Sequence, residues 1–297
     1  MKISGRGYNV EKYIDLHTHS TYSDGVYPPG DIVAMAAQKG LLAIALADHD
    51  SISGIDEAQV AGVKYGVEIV PAIEFSTCYK DFRDIHLLGY FIDHKDPELA
   101  RNLEKFRERR DNRARAIVEK INARLEVENK DKISYEEVQA IGQHVISRLH
   151  IARILVNNGS VKSVHDAFKR YLVPCDVPKQ YFPIAEALAE IRRLKGIAVL
   201  AHPQSITNDR SVLKTLIREF AGFGLDGIEV FNNLCYKDDM LFLESLAREF
   251  GLLITGGSDF HGFEDDVEIG CGSGGLAIAY HWLEAMRCRA GENKVDV

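Results

Sequence analysis

Short runs of β-branched and aliphatic residues alternate along this chain with stretches in which apolar positions recur every three or four residues. The first kind reads as strands: Tyr13–His17, Leu41–Ala47, Val67–Ile73, Ile85–Tyr90, Ile197–Ala201, Gly227–Phe231 and Leu252–Thr255. The second kind reads as helices, and punctuation residues bound them. Asp31–Lys39 follows Pro28-Pro29-Gly30 and ends at Gly40, and Ile184–Leu194 ends at Gly196. Proline presets the backbone where a helix begins and the N–H has no partner, and glycine takes the left-handed turn just past its end. Alternation of this kind predicts βα units around a parallel sheet, so the fold class is α/β, with seven strands in a barrel or a doubly wound sheet.

The rhythm stops between Pro97 and Phe182, a span that reads mainly as helix. It begins with Leu99–Leu125, where Leu99, Leu103, Phe106, Ile117 and Ile121 fall at helical spacing. The pattern predicts a discontinuous barrel domain over residues 1–96 and 183–297, interrupted by a helical insertion domain over 97–182. From Arg101 to Arg124 the insertion holds seven Arg and two Lys against three Glu and one Asp, a local net charge of +5. Most of that charge reads as a solvated helix face. Arg110 and Arg113 differ, because they continue the apolar stripe and therefore need an anionic partner, either a protein acid or a substrate phosphate.

The 297 residues include 46% hydrophobic and 27% charged, the balance of a globular protein. No apolar run is long enough to cross a bilayer, and Met1–Tyr13 lacks the apolar core of a signal peptide. The five cysteines, at 78, 175, 235, 271 and 288, form no C-x-x-C pair, so reduced thiols in a cytoplasmic protein are expected. A net charge of −8 argues against broad, non-specific binding to nucleic acid. Nothing in the sequence points to a membrane or to a specific protein partner.

The chemistry lies in where the histidines fall. Six of the eleven sit at expected strand ends, mostly beside acids: Asp15-Leu16-His17-Thr18-His19, Asp48-His49-Asp50, His86, Ala201-His202-Pro203 and Ser258-Asp259-Phe260-His261, with Glu74 closing another strand. The C-terminal ends of parallel strands converge on one face, where sites are built. Imidazole and carboxylate suit zinc, manganese and iron, and His-x-His on an extended segment turns both rings to one side. Structural histidines have no reason to prefer one end of a barrel, so the joint pattern predicts a metal site. No C-x₅-R loop, Walker-A glycine loop or G-x-S-x-G elbow offers a covalent or P-loop alternative.

The segments His17-Thr18-His19-Ser20-Thr21-Tyr22-Ser23-Asp24-Gly25, Ala47-Asp48-His49-Asp50, Glu74, Ala201-His202-Pro203 and Gly257-Ser258-Asp259-Phe260-His261 resemble, in order, the motifs of the PHP (polymerase and histidinol phosphatase) family. The resemblance implies a distorted seven-stranded (β/α) barrel with two or three divalent metal ions, manganese, iron or zinc. The layout looks most like the branch of 3′,5′-nucleoside bisphosphate phosphatases and short-RNA 5′-exonucleases, which carries a helical insertion here. Carried over by motif, the ligands are His17, His19, Asp24, His49, Glu74, His86, His202, Asp259 and His261, with Asp24 standing where some relatives use His. Asp48 and Asp50 are placed to orient His49 or a bound water.

Ser147-Arg148-Leu149-His150-Ile151-Ala152-Arg153 is similar to a stretch of that branch, which implies phosphate recognition by Arg148 and His150. Lys179, in Val177-Pro178-Lys179-Gln180-Tyr181, resembles a residue near the branch's pocket, although Leu172-Val173-Pro174-Cys175 replaces the usual glycine-rich lead-in. Asn232 is a candidate on position alone. The expected activity is hydrolysis of nucleotide phosphomonoesters by hydroxide formed on the metals. The expected substrates are 3′,5′-nucleoside bisphosphates, losing the 3′-phosphate, or short 5′-phosphorylated RNA. The alternatives are a histidinol-phosphate-type phosphatase and a non-catalytic metal- or nucleotide-binding module.

Overall fold

The computed structural model describes residues 12–142, 146–263 and 266–292; Met1–Glu11, read above for a leader signal, lie outside them. The strands are β1 (Tyr13–Thr18), β2 (Ala43–Leu46), β3 (Glu68–Tyr79), β4 (Phe82–Tyr90), the two-residue β5 (Phe182–Pro183), β6 (Ile197–Leu200), β7 (Gly227–Phe231), β8 (Leu253–Gly256) and the two-residue β9 (Ile278–Ala279). Their order in the sheet is β8-β7-β6-β4-β3-β2-β1-β9, with β5 beside β3. A bridge between Thr18 and Phe260 brings β1 against the segment after β8 and nearly closes the ring. All seven expected strands are present, and the architecture is the distorted barrel of the α/β class.

The helices are α1 (Pro29–Gln38), α2 (Ile55–Tyr65), α3 (Pro97–Val127), α4 (Tyr135–Gly142), α5 (Arg148–Asn157), α6 (Val164–Ala167), α7 (Ile184–Arg193), α8 (Arg210–Phe223), α9 (Lys237–Phe250) and α10 (His281–Glu292). Inside the barrel, small residues Ala43, Ala45, Ala47, Ala72 and Ala201 leave room for Ile14, Leu16 and Tyr90. Outside it, Leu188, Ile191, Leu216, Phe220 and Leu246 from α7, α8 and α9 cover Phe75, Leu87, Leu200 and Ile228. Each such buried Leu, Ile or Phe is worth about 1.5–3 kcal/mol relative to exposure.

The sheet is not all parallel. β3 and β4 form an antiparallel hairpin, and β4 also runs against β6. Lys80 at the turn has φ 52°, and only residues 80 and 81 separate the strands, too few for a crossover helix. β4 therefore ends at the face of the barrel opposite the site. The chain must climb back, and α3 makes the climb. Its 31 residues span roughly 46 Å at 1.5 Å per residue. Asp96 caps its start by accepting from the Leu99 N–H at 2.7 Å and pairs with Arg193 at the end of α7. Leu99 and Leu103 belong to the barrel's outer core, whereas Ile117, Val118, Ile121 and Leu125 pack with Ile151, Leu155, Tyr171 and Leu172 in a separate helical core. β5 then returns the chain to the upper edge of β3.

Candidate metal centre and adjoining cavity

β1 delivers two histidines by means of an irregularity. Ile14 pairs with Ala43 and Thr18 with Leu46, so β1 carries one extra residue over this stretch, a bulge. The bulge turns His17 and His19 to the interior, the side that Ile14 faces, instead of the opposite side. Both rings are fully buried. Two glycines make room for them. A Cβ at Gly257 would lie 2.2 Å from the His17 Cβ, and one at Gly25 would lie 2.2 Å from the His19 carbonyl oxygen.

Glu74 is the hub. It lies within β3, not at its end, because the strand runs on to Tyr79. Its Oε2 is 3.4 Å from His17 Nε2, 3.3 Å from His19 Nε2 and 2.9 Å from His49 Nδ1. Its Oε1 is 3.2 Å from His86 Nδ1 and 3.1 Å from His202 Nε2. His86 sits mid-strand on antiparallel β4, opposite Ser76, and so reaches the same face without being at a strand end. Asp259 Oδ1 lies 3.3 Å from His17 Nε2 and 3.0 Å from His19 Nε2, and His261 Nε2 lies 3.3 Å from Asp24 Oδ1. The nine residues are thus gathered in one place, and eight of them form three overlapping donor groups: His19, Asp24, His49 and His261; His17, His19, Glu74 and Asp259; His49, Glu74 and His86. His202 stands beside the third group, 3.3 Å from His86.

The polar atoms here fit metal ions. His17 Nε2, both nitrogens of His19, His49 Nδ1, Asp24 Oδ1 and Glu74 Oε2 are buried with no hydrogen-bond partner. Leaving so many buried polar atoms unpaired is costly unless something else binds them. Burial opposes ionisation of Glu74, yet His49, His17 and His86 hold its carboxyl well below the usual range. Burial likewise resists charge on His261, but Asp24 and Asp259 raise its pKa to about 10. The cluster therefore draws positive charge. Burial and the neighbouring His261 push His19 down to about 3, leaving it neutral as a metal ligand must be. His202, Asp259 and Asp50 have φ of 24°, 53° and 49°, left-handed backbone that non-glycine residues adopt at a cost and that gathers at functional sites.

Two further acids hold the cluster together. Glu229, fully buried in β7, accepts from His17 Nδ1 at 3.0 Å and from the His202 backbone N–H at 2.8 Å. The signal for it was a carboxylate in the middle of an otherwise apolar strand. Asp15 accepts from the backbone of His17, Ser258 and Gly270 and from the Ser258 hydroxyl, tying β1 to the loop that carries Asp259.

Asp48 does not orient His49. Its oxygens accept from Ser20 N, Ser20 Oγ and Ser23 Oγ at 2.6–2.7 Å, so it shapes the turn that presents Asp24. Asp50 accepts from the Ser76 N–H and pairs with Arg110, so it positions a cation instead of a ligand.

Above the cluster opens a cavity of about 270 Å³. Asp24, His49 and His86 line it together with Arg110, Arg113, Arg148 and Lys179, and Ile117, Ile146, Ile151 and Phe168 add apolar surface. The stripe arginines have protein acids as partners: Arg110 has Asp50, and Arg113 has Asp176 at 2.7 Å as well as the Val177 carbonyl. Lys179 pairs with Asp84 at 2.9 Å, and that pairing outweighs burial to bring the Asp84 carboxyl down to about 2. Arg148 is held most loosely, 3.6 Å from Asp176 and one-third exposed. A guanidinium with one acid partner still has donors free for phosphate.

Two candidates do not line this cavity, although Asp24 lies near enough to act on the buried His150 ring. His150 is 3% exposed and its Nδ1 accepts the Ser147 N–H, capping α5, because its spacing from Ser147 is that of a capping box. Asn232, 1% exposed, folds back on the Glu229 carbonyl and the Leu234 N–H, bracing the turn after β7.

Residues 15–206 match the PHP domain. A 5′-3′ exoribonuclease of Haemophilus influenzae is 36% identical over 85% of this chain and 91% of its own. A 3′,5′-nucleoside bisphosphate phosphatase of Chromobacterium violaceum is 34% identical over 84% and 87%. A solved structure from Chromobacterium violaceum, described as an amidohydrolase with bound sulfate and no metal, superposes with a TM-score of 0.77 at 33% identity, covering 87% of this chain and 90% of that one. With a matching family model over most of its length and relatives this similar, the chain belongs to the PHP-domain family.

Proposed function

We propose that the chain is a metal-dependent phosphoesterase that removes the 3′-phosphate of nucleoside 3′,5′-bisphosphates and cuts short 5′-phosphorylated RNA at the corresponding bond. The observation that carries this reading is that members of a histidine–carboxylate cluster and four cations line one cavity. His17, His19, Asp24, His49, Glu74, His86, His202, Asp259 and His261 would hold two or three manganese, iron or zinc ions. Bound metals of this kind supply a water acidified toward neutral pKa and offset charge on the phosphoryl oxygens.

The chain's own residues do the rest. Arg148, Arg110, Arg113 and Lys179 hold the phosphate that is not hydrolysed. The apolar wall of Ile117, Ile146, Ile151 and Phe168 covers the nucleoside between the two phosphates and keeps water from it. Glu229 fixes the ring of His17 and the backbone of His202, so the ligands are in place before substrate arrives. Residues 97–182 act as the substrate-selecting domain. No described helix is long and apolar enough to cross a membrane, and the five free cysteines fit a reducing, cytoplasmic setting.

The test is a phosphate-release screen of manganese-loaded protein against a nucleoside 3′,5′-bisphosphate, short 5′-phosphorylated RNAs and histidinol phosphate. Turnover favouring the nucleotides supports the proposal. Preference for histidinol phosphate, or no turnover by fully metallated protein, contradicts it.

A further inference from the structure

A second cavity, of about 330 Å³, borders the first. Arg110, Arg113 and Lys179 line both, so these three side chains touch the two spaces at once. α3 adds Phe106, Arg109 and Asn112 to the lining of the second. Phe106, Arg109, Arg110 and Arg113 recur along α3 at steps of three and four, which sets them on one face of the helix.

The charge of this cavity is one-sided. Four cations line it and, among the described residues, no aspartate or glutamate does. Three of the four are matched by acids outside its lining: Arg110 by Asp50, Arg113 by Asp176 and Lys179 by Asp84. Arg109 has no acid partner among the described residues. It is exposed, and its guanidinium lies over the Phe106 ring, 5.2 Å from the ring centre. The matched arginines also keep donors in reserve. Arg110 gives Nη2 to Asp50 and Ser76, and Arg113 gives Nη2 to Asp176 and Nε to the Val177 carbonyl. Nη1 of each has no such use.

A surplus of one positive charge beside unused guanidinium donors is an environment that holds a single phosphate group. It suits a nucleobase less well. Phe106 is the one aromatic ring in the lining, and it is already engaged by Arg109 and by Phe182, on which it stacks at 3.9 Å. A base would need a ring with a face to offer.

We infer that the second cavity binds a further phosphate joined to the 5′-phosphate of the substrate, so that nucleosides carrying a 5′-diphosphate and a 3′-phosphate are substrates too. This inference rests on the proposed function above, which puts the 5′-phosphate on cations that include Arg110, Arg113 and Lys179. The outer phosphate of a 5′-diphosphate hangs from that group by one bridging oxygen and must lie beside it. The cations shared by the two cavities are the ones placed to grip both, and Arg109 meets the outer phosphate alone. The bond broken is the same as in the bisphosphate. Water's oxygen bonds to the phosphorus of the 3′-phosphate, the P–O3′ bond breaks, and a proton passes to O3′. The products are inorganic phosphate and a nucleoside 5′-diphosphate.

The experiment compares kcat/KM for loss of the 3′-phosphate from adenosine 5′-diphosphate 3′-phosphate and from adenosine 3′,5′-bisphosphate, with the nucleotide product identified by chromatography. Metal-loaded wild type, Arg109→Ala and Arg107→Ala are assayed. The wild type should turn over both substrates. Arg109→Ala should lower the diphosphate-to-bisphosphate ratio about tenfold, the low end for a hydrogen bond to a charged group. Arg107 lies on the same helix, exposed and outside this cavity, so Arg107→Ala removes an equal charge and should leave the ratio as it was. An unchanged ratio in Arg109→Ala overturns the inference, and so does an equal fall in Arg107→Ala, which would make the effect one of diffuse charge. A wild type that hydrolyses the bisphosphate and spares the 3′-phosphate of the diphosphate also overturns it. In all three cases the proposed function stands. A wild type that hydrolyses neither removes that function and this inference together.

Discussion

The histidine–carboxylate cluster grows out of strands, whereas the cavity above it is assembled from one long helix, a strap and the start of another helix. Members of the cluster are rooted in the barrel: His17, His19 and Glu74 are wholly buried, and Glu229 and Asp15 bind the backbone or rings around them. The cations of the cavity sit on α3, on α5 and on the segment before β5, and each is fixed by a single acid from a distant part of the chain. The difference assigns separate work to each region. A rigid set of ligands suits chemistry common to every phosphate ester, and cations on a separately packed helical layer suit selection among them.

Changes to the cluster should therefore affect all substrates alike. The largest effect is expected for His17→Ala and Asp259→Ala, each of which should abolish turnover and lower bound metal, read by elemental analysis beside phosphate release. Chelation of the wild type should do the same, with recovery on adding back metal. Near-normal turnover in a folded, metal-loaded variant would break the assignment at that residue. Glu229→Gln keeps the shape but weakens the acceptor for His17 and His202. It should cost 10- to 100-fold in metal affinity or turnover, the usual scale for a group that orients a ligand, again equally for all substrates.

Changes on the cavity side should discriminate. Asp50→Asn releases Arg110 and should lower kcat/KM for a bisphosphate about tenfold, ~1.4 kcal/mol, with a much smaller loss on an aryl phosphate. Equal losses on the two substrates would return Asp50 to the chemistry itself. The smallest effect on activity belongs to His150→Ala, expected instead to lower stability by about 1–2 kcal/mol through loss of the α5 cap, seen in a denaturant titration. Selective loss of bisphosphate activity without a change in stability would make His150 a phosphate contact after all.

The same contrast separates what was legible in the sequence from what was not. Strands announce themselves as apolar runs, and polar residues at their ends have a short list of reasons to be there, so the seven strands and the grouping of histidines could be read directly. The direction of β4 could not, because a strand's side-chain pattern is identical whichever way it runs. That one reversal explains why α3 is 31 residues long and why His86 reaches the site from mid-strand. Asp48 and Asp50 sit next to a ligand in sequence, which drew them toward the metals, yet their oxygens turn to Ser20, Ser23, Ser76 and Arg110. Sequence adjacency says little about where a side chain in a tight loop points. The pairs that shape the cavity join residues such as Arg113 and Asp176, or Lys179 and Asp84, far apart along the chain and invisible to any local pattern.

The division of labour is tested most directly by Arg148→Ala, assayed on a nucleoside 3′,5′-bisphosphate and on an aryl phosphate with the same metal loading. Arg148 lines the cavity, is the most exposed of its arginines and is held only by a 3.6 Å contact to Asp176 and the face of Phe168, so it is the side chain freest to grip a second phosphate. The account predicts a fall in kcat/KM of roughly 10- to 100-fold on the bisphosphate, matching about 1.5–3 kcal/mol for a hydrogen bond to a charged group, and little change on the aryl phosphate. Equal losses on both substrates, or none on either, would show that the cavity does not hold the second phosphate.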